Sequence, residues 1–382
     1  MYRNCDNIIA MKVLVVGAGA SGCVAAINYK RNHPHDDVLI IEHLSSPLKK
    51  LLATGNGRCN LANSSIDISR YSNPKFVENI LKEYDYEKFF DSISIKTKNI
   101  DDLVYPMSES AVSVKNALLN EIEKLGIKIN LEEKLIDYKL EDKIIVQTNK
   151  NAYIVNKLFI ATSLCSSSKL GSDGSIISIL NKHNYLIKEP LPGLCPIRTK
   201  ENTKYVDGIR TKCEVKLSQN NELIHREKGE VLFKKDGLSG IVIFNIASLI
   251  ARSDKNANKI SLDLLPDFSI EEIENYRKSH TFNGFLQAFF NPKLSQYLLA
   301  RFKDENALIK AIKNLEFTFK DFYGFDFSQV SVGGVSLGMV NPSLESKKEK
   351  GVFLLGEILD IDGPCGGYNL TWAFASAIHA TN

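Results

Sequence analysis

Apolar residues along this chain fall into short, nearly unbroken runs at its start and end, and into helical and alternating patterns between. Lys12–Val16 (KVLVV) and Val38–Ile41 (VLII) are continuous and β-branched, the pattern of strands buried on both faces of a parallel sheet. A helical stretch, Ala25 to Arg31, lies between them, closed by an HPHDD turn. Strands are predicted over Ile127–Leu131, Leu135–Leu140, Ile144–Thr148 and Ala152–Val155, then LFIAT (158–162) returning to the sheet. From Pro190 the prolines of LPGLCPIR mark a crossing into another domain. Segments 212–218, 222–226, 230–234 and 241–244 read as strands of a small barrel or sandwich. Residues 268–302 carry helical periodicity, with the aromatics from Phe282 to Phe290 as the core of a helical insert. VFLLG (352–356) is a last buried strand, followed by a glycine-rich turn and a helix from Tyr368 or Asn369.

The first strand runs into GAGASG, where Gly17, Gly19 and Gly22 have the G-x-G-x-x-G spacing, with Glu42 ending the second strand about 20 residues on. Gly17 permits the tight turn, Gly19 lets backbone approach a pyrophosphate, and Gly22 lets helix and strand pack closely. Ala20 and Ser21 open the helix whose N-terminus faces the phosphates. Glu42 accepts from a ribose 2′-hydroxyl and repels a 2′-phosphate, so the adenosine half belongs to FAD or NAD, not NADP.

Two loops bear on that choice. SSPLKKLLATGNGRCNLAN breaks away from a further βα unit into a long loop, suited to a cofactor larger than a nicotinamide dinucleotide. Lys49 and Lys50 can reach phosphate or loop carbonyls, and Arg58 and Asn60 add donors for an isoalloxazine or ribityl chain. At the other end, Gly356-Glu357 closes a strand, and Gly363, Gly366 and Gly367 open a helix. Such a helix N-terminus suits the flavin N1 and C2 carbonyl, where charge collects on reduction. No second G-x-G-x-x-G occurs, which argues against a separate NAD(P)H domain; NADH or NADPH enters only as a transient electron donor.

The order GAGASG, Lys50, TGNGRCNLAN, GEVLFKKDGLSG, VSVGGVSL and GEILDIDGPCGGYNLTWA resembles the bacterial aminoacetone-oxidase-like FAD-binding family. These are NAD(P)/FAD-dependent oxidoreductases similar to flavoprotein reductases of bile-acid dehydroxylation, and the resemblance runs from about Lys12 to the end. It implies that the GRCN loop packs against FAD, and that Gly17, Gly19, Glu42, Lys50, Asn60, Glu357, Asn369 and Leu370 fall on FAD-contacting positions. Leu61, Leu135, Ala161, Thr162, Gly356, Gly367 and Tyr368 complete the candidate cofactor set. The chain departs from the family at Ser163-Leu164 (for Gly-Gly), at Lys234-Lys235 (for Thr-His) and at Ile241 (for Pro).

The expected fold is α/β: a Rossmann-like FAD-binding domain of the two-dinucleotide-domain flavoprotein type, over 1–192 and 320–382. Into it are inserted a β-barrel domain (193–262 and 308–319) and a helical subdomain (263–307). At 382 residues, 44% apolar, the chain can bury cores of that size. A formal charge of +3 gives no sign of a nucleic-acid or membrane partner. Seven cysteines, odd in number and without a C-x-x-C pair, indicate neither a disulfide framework nor a zinc site and fit a reducing, cytoplasmic setting. Residues 1–10 read as a loose extension ahead of Met11.

The expectation is therefore an oxidoreductase passing two electrons through flavin N5 to a small-molecule substrate or electron acceptor, as reductase or amine oxidase. No metal is called for. The alternatives are a flavoprotein linked to RNA modification, or an FAD-binding protein with little turnover. No catalytic acid or base can be named, and Tyr368 either covers a flavin edge or packs beneath its helix.

Overall fold

A computed structural model of the chain describes residues 11–253 and 258–382, so the extension expected over 1–10 lies outside the described residues. The described chain divides into two units, one made of the residues up to Leu191 with Val330–Asn382, the other of Pro192–Gln329.

The first unit is built on a five-stranded parallel sheet. Its order is Val352–Leu354, Lys157–Ile160, Lys12–Val16, Asp37–Glu42, Lys128–Leu131, so the first and last apolar runs of the sequence share one sheet. Leu14, Val15, Ile40, Leu158, Phe159 and Leu354 are buried, as unbroken apolar strands must be when both faces of the sheet are covered. The helix Ala20–Asn32 packs its small residues Cys23, Ala25 and Ala26 inward and lies against the last helix, Tyr368–His379. Smaller sheets are added: a meander of Leu135–Leu140, Ile144–Thr148 and Ala152–Val155, and the pairing of Ile187–Gly193 with Val330–Val335.

The helix can press onto the sheet because Gly22 has no side chain. A Cβ there would sit 1.9 Å from the Gly17 carbonyl oxygen, and one on Gly17 would sit 2.9 Å from that of Ala161. Both obstacles are backbone and cannot rotate away. Gly22→Ala is therefore expected to destabilise the first unit by about 2 kcal/mol or more, measured as a lowered urea midpoint.

The second unit holds a closed six-stranded barrel, in the order Ile197–Thr199, Gly237–Ser239, Glu222–Lys234, Arg210–Gln219, Asn258–Asp263, Leu315–Phe322. Val215, Leu217, Val231, Phe233, Ile260, Leu262 and Phe317 fill it from alternate positions. Helices Ile270–Lys278, Phe282–Phe289, Pro292–Arg301 and Glu305–Lys313 intervene before the final strand, the first opened by a Ser269–Glu272 capping box. Three sequence boundaries move. Residues 308–313 are helical rather than barrel, the return strand continues to Phe322, and 320–329 go with the second unit. The apolar run 241–244 is not a strand but the start of the helix Ile241–Ala251. A run without alternation satisfies either element, and here it continues for three turns. Among the described residues, no helix is long and apolar enough to cross a membrane, and no group of three or more His, Cys, Asp or Glu is placed to hold a metal ion.

Candidate cofactor site

Strand ends and helix starts of the first unit converge on one side of its sheet. At the glycine turn, Leu48 donates its N–H to the Ala18 carbonyl (2.9 Å), which anchors a short helix, Lys49–Ala53, within what the sequence suggested was loop. Leu48 reaches this position in the left-handed region (φ 62°). The direction a Cβ on Gly19 would take is open, with nothing within 4 Å, while those of Gly17 and Gly22 are filled. The N–H groups of Ala20, Ser21 and Gly22 have no acceptor earlier in their helix. An open backbone face over a helix N-terminus is a cradle for a pyrophosphate.

Glu42 ends the second strand as a buried carboxylate. Its Oε2 accepts the Ala18 N–H (2.8 Å), and its Oε1 accepts from Leu44 N–H (2.9 Å) and His43 Nδ1 (3.0 Å). Burial pushes the carboxyl up, but the bonds from His43, Leu44 and Ala18 outweigh it and hold Glu42 below the usual carboxylate range. Glu133 N–H bonds to the Glu42 carbonyl (2.8 Å), so the chain entering the Leu135 strand runs past this acid. Glu133 is itself buried and collects Thr148, Asn151, Asn130 and Tyr153. Ala161 and Thr162 follow the strand Lys157–Ile160, with the Ala161 carbonyl against Gly17 of the glycine turn, and the Thr162 hydroxyl is buried without a partner.

Lys50 and Glu357, 307 positions apart, form an ion pair (Nζ–Oε2 2.7 Å). Lys50 also donates to Ser166 Oγ (2.7 Å) and Ser163 Oγ (3.3 Å), and Glu357 Oε1 accepts from the Ser166 hydroxyl and from Ser331 N–H (2.9 Å). Burial works against the Glu357 charge, and the Lys50 ammonium prevails, keeping the carboxyl below its ordinary value. Gly356 lies against Ser21 of the first helix; a Cβ on it would meet the Ser21 hydroxyl at 2.9 Å. The serine that replaces a family glycine at 163 is thus an acceptor for Lys50.

The GRCN loop and the GGYN turn meet directly. With its amide turned to suit its neighbours, Asn60 accepts the Gly367 N–H (3.0 Å) and donates to the Ala62 carbonyl (2.8 Å), while Asn63 Nδ2 donates to the Gly366 carbonyl (3.0 Å). Asn369 donates to the Gly363 carbonyl (2.8 Å) and accepts its N–H (3.0 Å), closing the turn that precedes the helix. Tyr368 is buried: it accepts from Asp67 N–H (3.2 Å), its carbonyl accepts the Tyr71 hydroxyl (2.8 Å), and the two rings lie 5.2 Å apart. Its ring packs against Tyr71 at the start of its helix. Leu61 is buried, with its N–H on the Val104 carbonyl (2.7 Å), and Leu370 is partly buried. Arg58 stands apart, exposed, over the Tyr105 ring (4.8 Å) and 3.5 Å from Glu109. Burial raises the Cys59 thiol to about 11, the condition of a packing residue and not of a nucleophile.

Ser163 was noted in the sequence only as a family departure; Ala18, His43, Ser166 and Ser331 also belong to this arrangement and were not singled out there. His43 could have been, as the residue next to the acid. Ser331 gave no local signal, because only the fold brings it to Glu357.

The family model of the HI0933-like protein Rossmann domain matches residues 11–382. A 3-dehydro-bile acid delta(4,6)-reductase of Clostridium scindens is 32% identical, over 96% of this chain and 97% of its own length. A ribosomal RNA dihydrouridine synthase of Escherichia coli is 25% identical over 95% of each chain. Among solved structures, the Escherichia coli quinol fumarate reductase superposes with a TM-score of 0.50 at 11% identity, covering 98% of this chain and 69% of that one, a likeness of fold alone.

Proposed function

The chain belongs to the HI0933-like Rossmann-domain family, and we propose that it is an FAD-dependent oxidoreductase that saturates a carbon–carbon double bond conjugated to a carbonyl. The observation that supports this most is chemical agreement between relatives that differ in substrate. A keto bile acid with ring double bonds and a uracil ring both present an alkene polarised by a carbonyl. Saturating either takes a hydride at the far alkene carbon and a proton at the near one. FAD, when bound, supplies the two-electron carrier for that hydride.

The residues fit the cofactor. The open face at Gly19 and the free N–H groups of Ala20 to Gly22 would take the pyrophosphate, and Glu42 Oε2 a ribose hydroxyl. The unpartnered, buried Thr162 hydroxyl offers a further donor. The N–H groups of Tyr368, Asn369 and Leu370, in the first turn of their helix, would face the flavin pyrimidine edge and favour negative charge there. Lys50 is neutralised by Glu357, so the helix N-terminus and not a bare ammonium sets the local field. Cys23, Cys59, Cys165, Cys195 and Cys213 stand as thiols, which suits a reducing, cytoplasmic setting.

The test is anaerobic. Protein reconstituted with FAD and reduced with NADH, NADPH or dithionite is mixed with a steroid enone, a steroid dienone, an isolated alkene and a uridine-containing transcript. Flavin reoxidation with a saturated product on the conjugated ketones, and none on the isolated alkene, is expected. Reoxidation by none of them overturns the assignment. Turnover of the transcript alone would favour a second reading, uridine reduction in RNA, which rests on the dihydrouridine synthase relatives.

Glu42→Gln keeps an acceptor and the side-chain shape but removes the charge. FAD retention should fall about tenfold, read by fluorescence titration of the stripped protein.

A further inference from the structure

His43 follows Glu42 at the end of the second strand and is exposed at the surface, its side chain 33% accessible. Its Nδ1 takes Oε1 of the Glu42 carboxylate, the same oxygen that accepts the Leu44 N–H. Oε1 is thereby occupied by two donors, whereas Oε2 has only the Ala18 N–H and keeps a lone pair. The imidazole thus decides which carboxylate oxygen is left for a ligand. The charged groups around the ring are few: Glu42 on its own strand, Lys134 before the Leu135 strand and Asp173 before the helix Ser175–Lys182. Lys134 and Asp173 pair with each other (2.6 Å), leaving the Glu42 carboxylate as the anion His43 answers.

We propose that His43 is a positioning residue for the adenosine end of the cofactor, presenting Glu42 Oε2 to a ribose hydroxyl and, when protonated, offsetting the carboxylate charge as adenosine covers it. The inference rests on FAD binding at this site. Its physical content is a change of surroundings. Without ligand, water screens the pair; with adenosine over the carboxylate, water leaves, and the imidazolium–carboxylate attraction strengthens. Ligand binding then favours the protonated ring, so affinity must fall as the proton is lost. The Glu42 hydrogen bond already raises His43 above its ordinary value, against burial, which places the loss in the neutral to mildly alkaline range. Glu42 and Asp173, both held below the usual carboxylate range, stay ionised throughout and contribute no slope there.

The experiment is an FAD titration of the stripped full-length protein by flavin fluorescence, from about pH 6 to about pH 9. Wild type should weaken by roughly three- to tenfold across that range. His43→Gln keeps a donor without a titrating charge, and His43→Lys keeps the charge throughout. The glutamine variant should bind with the weaker, alkaline-limit affinity at every pH. The lysine variant should bind with the tighter, acid-limit affinity at every pH. A flat wild-type profile, or a glutamine variant with the wild-type slope, overturns the role of His43 while leaving the cofactor assignment standing. A wild type that takes up no FAD at any pH overturns that assignment and this inference together. Circular dichroism of each variant separates either result from misfolding.

Discussion

Replacing Glu357 with alanine is expected to lower stability by about 3 kcal/mol, because it strands the Lys50 ammonium among groups arranged for a charge pair. The side chains of the pair are 26% and 19% exposed, so water only partly compensates. Two other donors lose their acceptor at once: the Ser166 hydroxyl, and through the same oxygen the Ser331 N–H at the start of Val330–Val335. A urea titration of wild type, Glu357→Ala, Lys50→Met and the double Lys50→Met/Glu357→Met variant checks this. The double variant should recover much of the loss, since no buried charge is left unpaired. If Glu357→Ala unfolds at the wild-type midpoint, the pair holds nothing together. The pH dependence has a definite sign. Glu357 ionises more readily folded than unfolded, so its contribution is complete above the ordinary carboxylate value and disappears as pH falls through the folded one. Wild type should lose stability on acidification more steeply than the double variant.

What could be read in the sequence divides by distance along the chain. The strand–glycine-turn–helix–strand–acid run is local, and each part constrains its neighbour: Gly22 must be small because Gly17 is adjacent in space and nearly so in sequence. Lys50 and Glu357 both stand out in the sequence as candidate site residues through family motifs. That they bond to each other was not, since nothing in either stretch specifies a partner 307 positions away. Ser331 reaches Glu357 through its main-chain N–H, a group every non-proline residue carries, while its hydroxyl accepts the Cys165 and Ser166 N–H groups, partners 165 and more positions away that no local pattern specifies. The misread elements have the same origin. IVIF at 241–244 fits a buried strand or a buried helix by pattern, and only the length of the run to Ala251 decides. Lys49–Ala53 is a single turn, held by Leu48 on the Ala18 carbonyl and not by its own propensity.

The second large effect belongs to Gly367. From sequence, this glycine brings the last helix close to a flavin; the structure shows what it approaches within the chain. Its φ is +93°, and a Cβ would lie 2.4 Å from both the carbon and the oxygen of the Ala62 carbonyl and 2.9 Å from Asn63 N. The contact is loop against loop, GGYN on GRCN, with the Gly367 N–H on Asn60 as its bond. Gly367→Val adds the strain of a β-branched residue at positive φ, about 1–3 kcal/mol, and a collision that only backbone movement relieves. Because the helix Tyr368–His379 packs along Ala20–Asn32 through most of its length, it should stay formed while its first turn lifts away from Ala62. Two readouts follow: a stability loss of about 3 kcal/mol or more in urea, and a flavin content near zero after dialysis. The matched control is Gly366→Ala, also at positive φ (+109°) but with Leu103 Cδ2, at 3.5 Å, as the nearest atom to its Cβ. It carries the backbone strain without the collision. If both variants lose stability equally and both keep their flavin, the approach of these two loops does not shape the cofactor site. Loss of flavin from Gly367→Val alone would assign that approach a direct part in holding it.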